Sequence, residues 1–201
     1  MSDSRPSAGG AGGRDSSGLL ADEPFEPRVI SSDVVFEGAV WNVRRDAFDY
    51  DGSTIVREYV AHTGAVAILA VDDEGRVLVI RQYRHPIRSR EWELPAGLLD
   101  VDGEPELAAA QRELAEEADL VATDWRELVV FKTTPGGSDE TVTVFQATGV
   151  SATETAFARE AEEADIEVRW VALDDIVSGV LAGRLRNSIL AIAALAAHAS
   201  R

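Results

Sequence analysis

GEPELAAAQRELAEEADL, residues 103–120, repeats apolar positions at helical spacing and gathers acid on the adjacent side. Leu107, Ala110, Leu114 and Ala118 recur on one face, the periodicity of a helix packed on a core. Pro105 suits a first helical turn, so the spacing predicts a helix over about 104–118. At about 100° per residue, Glu113, Glu116 and Glu117 form a neighbouring face. On that face Glu113 meets Glu116 and Glu117 at i,i+3 and i,i+4, where like charges destabilise a helix by about 0.2–0.5 kcal/mol per pair. Arg112 is the basic residue beside them. Hard divalent cations such as Mg²⁺ take oxygen ligands and commonly pair a few carboxylates with substrate phosphates. The stripe is therefore either a solvated acidic face or a metal site.

The surrounding sequence alternates strands with a few helices. VISSDVVFEG, AVWNVRRDAFDY and STIVREYVAH are rich in β-branched and aromatic residues, and Asp51-Gly52 separates the last two as a hairpin turn. In AVAILAVDDEGRVLVIRQYR two nearly continuous apolar runs flank Asp72-Asp73-Glu74-Gly75, as in strands covered on both faces. WELPAGLLDVDGEPE reads as a loop, punctuated by Pro95, Gly97 and Gly103. RELVVFK, TVTVFQATG and IEVRWVAL read as further strands, and 174–182 and 188–198 as closing helices. Such a pattern predicts an α/β fold, a mixed sheet with helices on its faces. Residues 1–22, mostly Gly, Ser, Ala and charge, are expected to form a disordered tail. Residues 23–62 then form an N-terminal β-rich segment and 63–201 the main domain.

Composition narrows the function. The chain has 201 residues, 45% hydrophobic, enough for a core. Its net charge of −17 argues against a basic nucleic-acid-binding face. With no cysteine there is no disulfide scaffold, Cys-ligated zinc or thiol nucleophile. Lys132 is the single lysine, which leaves little room for lysine chemistry. His62, His85 and His198 are scattered and form no zinc pair. DVDGE at Asp100 lacks the later Gly and Glu of a calcium loop and reads as a turn. The run from Ile189 is too short to span a bilayer, which needs about 20 apolar residues. No signal peptide is visible, and the expectation is a soluble cytoplasmic protein with no membrane partner.

Gly97, Glu104 and the run Arg112-Glu113-Leu114-Ala115-Glu116-Glu117-Ala118-Asp119-Leu120 resemble the signature of the Nudix hydrolases. Two positions depart from it. Six residues, not five, separate Gly97 from Glu104, an insertion that a loop accommodates. Asp119 stands where the family usually has Gly at the helix end, a position that commonly takes the left-handed conformation. Asp visits that conformation more readily than most residues, so the expected cost is at most about 1 kcal/mol. RQYRHP, WELPAG, PGGSDE and Pro135, sixteen positions after Asp119, resemble the subgroup that hydrolyses ADP-ribose and related nucleoside diphosphate sugars.

The resemblance implies a Nudix-like α/β/α sandwich with a mixed β-sheet. It implies hydrolysis of ADP-ribose to AMP and ribose 5-phosphate with Mg²⁺ or Mn²⁺. The alternatives are another nucleoside diphosphate derivative as substrate, or a ligand sensor without turnover. Residue by residue, Glu113, Glu116, Glu117 and the Ala96 carbonyl match metal ligands, and Arg112 an arginine that braces the box. One or both of Arg81 and Arg84 are expected to clamp the diphosphate or a ribose phosphate, a contact arginine suits. Trp41, Glu58, Tyr59, Glu93, Pro135 and Glu140 are candidates for substrate binding. For the general base the resemblance points to the acidic run REAEEADIEV, Glu162 first and Glu163 second. Members of the subgroup are typically homodimers that exchange N-terminal strands.

Overall fold

The protein is described by a computed structural model covering residues 20–154 and 166–201. Three strands, β1 (Val29–Glu37), β2 (Asn42–Tyr50) and β3 (Ser53–Ala61), form an antiparallel sheet of their own. The β2–β3 hairpin turns at Asp51 and Gly52, both at positive φ (52° and 78°). Two positive φ angles match the right-handed strand twist, which is why Asp-Gly sits there.

The main body contains β4 (Ala65–Ala70), β5 (Arg76–Arg84), β6 (Ser89–Glu93), β7 (Ala96–Leu98) and helix α1 (Glu106–Ala118). It continues with β8 (Leu120–Lys132), β9 (Thr141–Ala152), β10 (Glu167–Ala172), α2 (Leu173–Leu181) and α3 (Ser188–Ala199). One sheet has the order β7-β4-β9-β8, with β4 and β9 parallel and the other pairs antiparallel; the other, β10-β5-β6, is antiparallel.

Strand β4 is buried along its whole length and feeds both cores. Ala65, Ala67 and Leu69 pack with Leu173, Ile176, Val177, Leu190 and Ala194 of α2 and α3. The alternate residues Val66, Ile68 and Ala70 pack with Ala109, Ala110 and Leu114 of α1. Period-two alternation thus places α2 and α3 on one side of the sheet layer and α1 on the other, the α/β/α sandwich. Burying a leucine such as Leu114 contributes roughly 1.5–3 kcal/mol, and the packing of α1 outweighs its internal charge repulsion.

The β4–β5 connection is fixed by Asp72. Its carboxylate accepts the Glu74 N–H (3.1 Å), the Arg76 N–H (2.7 Å) and Arg76 Nε (2.7 Å). Burial pushes the Asp72 carboxyl up, but these bonds outweigh it and hold the group below the usual range.

Several expectations shift in detail. The segment read as a loop at WELPAG contains β7 and the end of β6. Strand β8 starts at Leu120, six residues before RELVVFK. In α1 the core face is rotated: Leu107 is 39% exposed, whereas Ala109 and Glu117 are buried. Pro105 is the N-cap, not a first-turn residue. No helix of the described residues is long and apolar enough to cross a membrane.

Candidate active site

The acidic helix closes on the Pro95–Gly97 turn. Glu117, only 6% exposed, accepts the Ala96 N–H through Oε2 at 2.9 Å. On the other side of the same peptide, the Pro95 carbonyl accepts the Ile68 N–H at 2.8 Å. The Pro95–Ala96 peptide plane is therefore pinned at both ends, by the helix and by β4. That fixes the chain direction into Ala96, whose carbonyl the family resemblance marks as a ligand.

Gly97 is required by contact. A Cβ built there would lie 2.0 Å from both Cδ and Oε1 of Glu113. The glycine thus leaves the space that the Glu113 carboxylate fills, while its backbone pairs with Val66 in β4.

Arg112 organises the remaining acids. Its Nε and Nη2 donate to Glu104 at 3.2 and 2.9 Å, and its Nη1 to Glu113 at 2.6 Å and Glu116 at 3.2 Å. Hydrogen bonding from Arg112 holds the Glu104 carboxyl below its usual range, and Glu104 in turn raises Arg112. The i,i+4 salt bridge to Glu116 is thus one arm of a three-carboxylate clamp. Asp119 ends the helix at φ 54°, ψ 38°, the left-handed conformation expected of the missing glycine. Its N–H bonds to Ala115 at 3.0 Å, and its carbonyl accepts the Thr153 N–H at 2.9 Å. The substitution leaves the helix end intact.

The donor chemistry fits a hard divalent cation: carboxylates and a main-chain carbonyl, with oxygen as every ligand atom. The Gly97 cradle holds one carboxylate at the turn and Glu117 holds the turn itself. Among the described residues no three His, Asp or Glu converge on one point as they stand. Glu113 and Glu116 instead share the Arg112 guanidinium, so they are already arranged about a positive charge.

The two candidate clamp arginines are both paired. Arg84 reaches Glu93 with Nε at 3.0 and 3.1 Å and Nη2 at 2.8 Å; the Glu93 side chain is 5% exposed. Glu93 therefore orients Arg84. Arg81 pairs with Glu167 and lies over the Trp92 ring, 5.1 Å from its centroid.

A separate cleft of about 500 Å³ runs between β3 and the turn after β8. Arg57, Glu58, Tyr59, Lys132, Pro135 and Ser138 are among its lining residues. The turn is tied to β3 through Val60 N–H to the Gly137 carbonyl (2.9 Å) and Ser138 Oγ to the Val60 carbonyl (3.1 Å). Within the cleft Glu58 is held by Arg45 at 2.9 Å. Burial, and next the Asp46 carboxylate, push the Tyr59 phenol up. Beside it Trp41 stacks on His62 at 5.3 Å, and His62 Nε2 lies 3.4 Å from Glu140. The Gly64 N–H donates to His62 Nδ1 at 3.0 Å, which leaves the ring proton on Nε2, toward Glu140. Of the residues expected from the sequence to bind substrate, Glu58, Tyr59 and Pro135 line this cleft, whereas Trp41 and Glu140 do not line it and meet at His62; Arg57, Ser138 and the pairing of His62 were not anticipated. Glu162 and Glu163 lie outside the described residues.

The NUDIX domain matches residues 61–191. An ADP-ribose pyrophosphatase of Mycobacterium tuberculosis (strain ATCC 25618 / H37Rv) is 46% identical over 181 residues, covering 90% of this chain and 86% of that protein. An ADP-ribose pyrophosphatase of Bacillus subtilis (strain 168) is 38% identical over 153 residues, covering 75% and 81%. A crystal structure of an ADP compounds hydrolase superposes with a TM-score of 0.73 at 18% identity, covering 90% of this chain and 96% of that one, a likeness of fold. The chain belongs to the NUDIX family.

Proposed function

We propose that this chain hydrolyses the diphosphate bond of ADP-ribose to AMP and ribose 5-phosphate, with Mg²⁺ or Mn²⁺ as cofactor. The observation that carries the reading is the closure of the acidic helix on its turn: Gly97 makes room for Glu113, and Glu117 grips the Ala96 N–H. The two relatives named ADP-ribose pyrophosphatase support the substrate.

The Ala96 carbonyl, Glu113, Glu116 and Glu117 would hold the metal. When bound, a divalent ion neutralises charge on the diphosphate and activates a water. The chain's own residues do the rest. Arg112 holds the Glu113 and Glu116 carboxylates in place. Arg84, oriented by buried Glu93, and Arg81, braced on Trp92, supply positive charge to the phosphates. The β3 cleft takes the nucleotide half, and its volume is within the range of small-molecule sites. There Glu58, held by Arg45, offers an acceptor, and Tyr59, whose hydroxyl bonds to Asp46, offers its ring. Glu162, with Glu163 second, takes the proton of the attacking water. The test is a panel of nucleoside diphosphate sugars, dinucleotides and nucleoside triphosphates, each assayed with Mg²⁺ and with EDTA. ADP-ribose is expected to give the highest kcat/KM by at least about tenfold, or ~1.4 kcal/mol of transition-state stabilisation, with no turnover in EDTA. Equal rates on several diphosphates would overturn the substrate assignment, and full activity in EDTA the metal.

The same reading includes a homodimer built through residues 23–62. All of β1 is exposed, and Val29, Ile30, Val34, Val35 and Phe36 present apolar surface at 42–61% exposure. Neighbouring strand residues point to opposite sides, so β1 exposes apolar side chains on both, and exposed apolar surface of this extent marks a contact surface. Sedimentation is expected to give twice the chain mass of 21.6 kDa, and Val34→Asp with Phe36→Asp to give the single mass. A monomeric native protein would remove the dimer from the proposal.

A further inference from the structure

A second cavity, of about 800 Å³, lies between the β5–β6 hairpin and the turn joining α2 to α3. Its rim carries Arg88, Arg90, Arg184 and Arg186 against one carboxylate, Glu91. Such a concentration is unexpected in a chain with 36 acidic and 19 basic residues. Among the described residues, Arg88 and Arg184 have no ion-pair partner. Arg186 Nε donates to the Gly183 carbonyl at 3.2 Å, and Arg90 is already engaged by another group.

The backbone under these side chains is held in place. Arg184 and Leu185 both donate their N–H to the Gly179 carbonyl, at 2.9 and 3.2 Å. Leu185 packs so closely on Gly179 that a Cβ there would lie 2.8 Å from Leu185 Cδ1. Across the cavity, Arg88 stands in the left-handed conformation at φ 49°, ψ 42°. The other non-glycine residues at positive φ among those described, Asp51 and Asp119, are of a type that tolerates it. Arginine is not, and a strained residue held at a turn points to a use for its side chain.

We infer that this cavity binds a phosphate group, carried by free phosphate or by a small phosphomonoester, at a site separate from the acidic helix. Guanidinium groups match phosphate oxygens in pairs of hydrogen bonds. The chain's overall negative charge is screened beyond about 8 Å at physiological ionic strength, so the local arginines set the potential in the cavity. The occupant is not an aromatic ring stacked on Trp92. Two guanidinium groups already lie against that indole, Arg81 at 5.1 Å and Arg169 at 4.8 Å from the ring centroid. The arginines and the Ser89 hydroxyl outnumber the single carboxylate, Glu91, among the polar groups that line the cavity.

Titration of ¹⁵N-labelled protein in EDTA tests this without any hydrolysis, so its outcome is independent of the substrate assignment. Inorganic phosphate and ribose 5-phosphate serve as probes, and sodium chloride at equal ionic strength as the blank. Amides of 87–92 and 183–186 are expected to shift and saturate with one dissociation constant, in the native protein and in Glu117→Gln alike. Arg88→Ala with Arg184→Ala, and the milder pair Arg88→Gln with Arg184→Gln, are expected to weaken binding at least tenfold. Equal affinity for the probes supports free phosphate as the ligand, and tighter ribose 5-phosphate supports a phosphomonoester. Shifts matched by chloride, unchanged in both double variants, or centred on 95–98 would overturn the site. So would a change of oligomer mass in the double variants with no effect on phosphate binding, which would assign the arginines to a subunit contact.

Discussion

Glu117→Gln is expected to lower kcat for ADP-ribose by about a thousandfold or more, near 4 kcal/mol of transition-state stabilisation. The amide is nearly isosteric with the carboxylate, and its oxygen still accepts the Ala96 N–H that Glu117 holds at 2.9 Å. What disappears is the charge, at a side chain only 6% exposed. The fold does not need that charge. Glu113 and Glu117 repel at i,i+4, and removing one relieves about 0.2–0.5 kcal/mol. The melting temperature is therefore expected to hold or rise while turnover collapses. Steady-state rates across a Mg²⁺ series, beside thermal unfolding of the same samples, make the comparison. Metal-dependent turnover within tenfold of the native enzyme would show that Glu117 is not a ligand.

Gly97→Ala reaches the same centre by sterics alone. The added methyl meets Glu113 Cδ and Oε1 at 2.0 Å, far inside van der Waals contact. The clash is with the end of a flexible side chain, so Glu113 swings away and the backbone stays. Its retreat also breaks the 2.6 Å bond to Arg112 Nη1. Loss of about a hundredfold in kcat/KM is expected, the upper range for displacing a metal-site support. Stability changes by only about 1 kcal/mol, since Gly97 carries no positive φ and Ala restricts the unfolded chain. In a Glu113→Gln background the same change is expected to cost far less, because the two act on one group. Additive losses in that double variant would mean that Gly97 serves the turn and not Glu113.

How far the sequence carried the reading depended on range. The α1 helix, the box and the left-handed end at Asp119 were legible because each is set by residues within a few positions. The Asp51-Gly52 hairpin was legible for the same reason. Strand β7 was not: three residues beside Pro95 carry no periodicity, and Ala96 and Gly97 become a strand only through pairing with Ala67 and Val66. Nor did the spacing reveal that Glu117 faces inward, because the packing of Ala109 rotates α1 so that its acidic and core faces overlap. Arg84 and Glu93 were both singled out, yet the β5–β6 register sets Glu93 opposite Ile80, four residues before Arg84 on the same face, so their pairing rests on the reach of two long side chains, which local spacing does not show. The β3 cleft joins residues more than seventy positions apart, and no local pattern records that meeting.

Lys132 has a practical consequence. It is the chain's only side-chain amine, the chain has no thiol, and it sits on the rim of the β3 cleft with Nζ on Thr141 Oγ1. One acylating reagent therefore addresses one side chain, at the mouth of the pocket assigned to the nucleotide. The rate at which that amine is modified, read at Lys132 by peptide mass spectrometry so that the α-amine is kept apart, reports occupancy without turnover and without engineering a single residue.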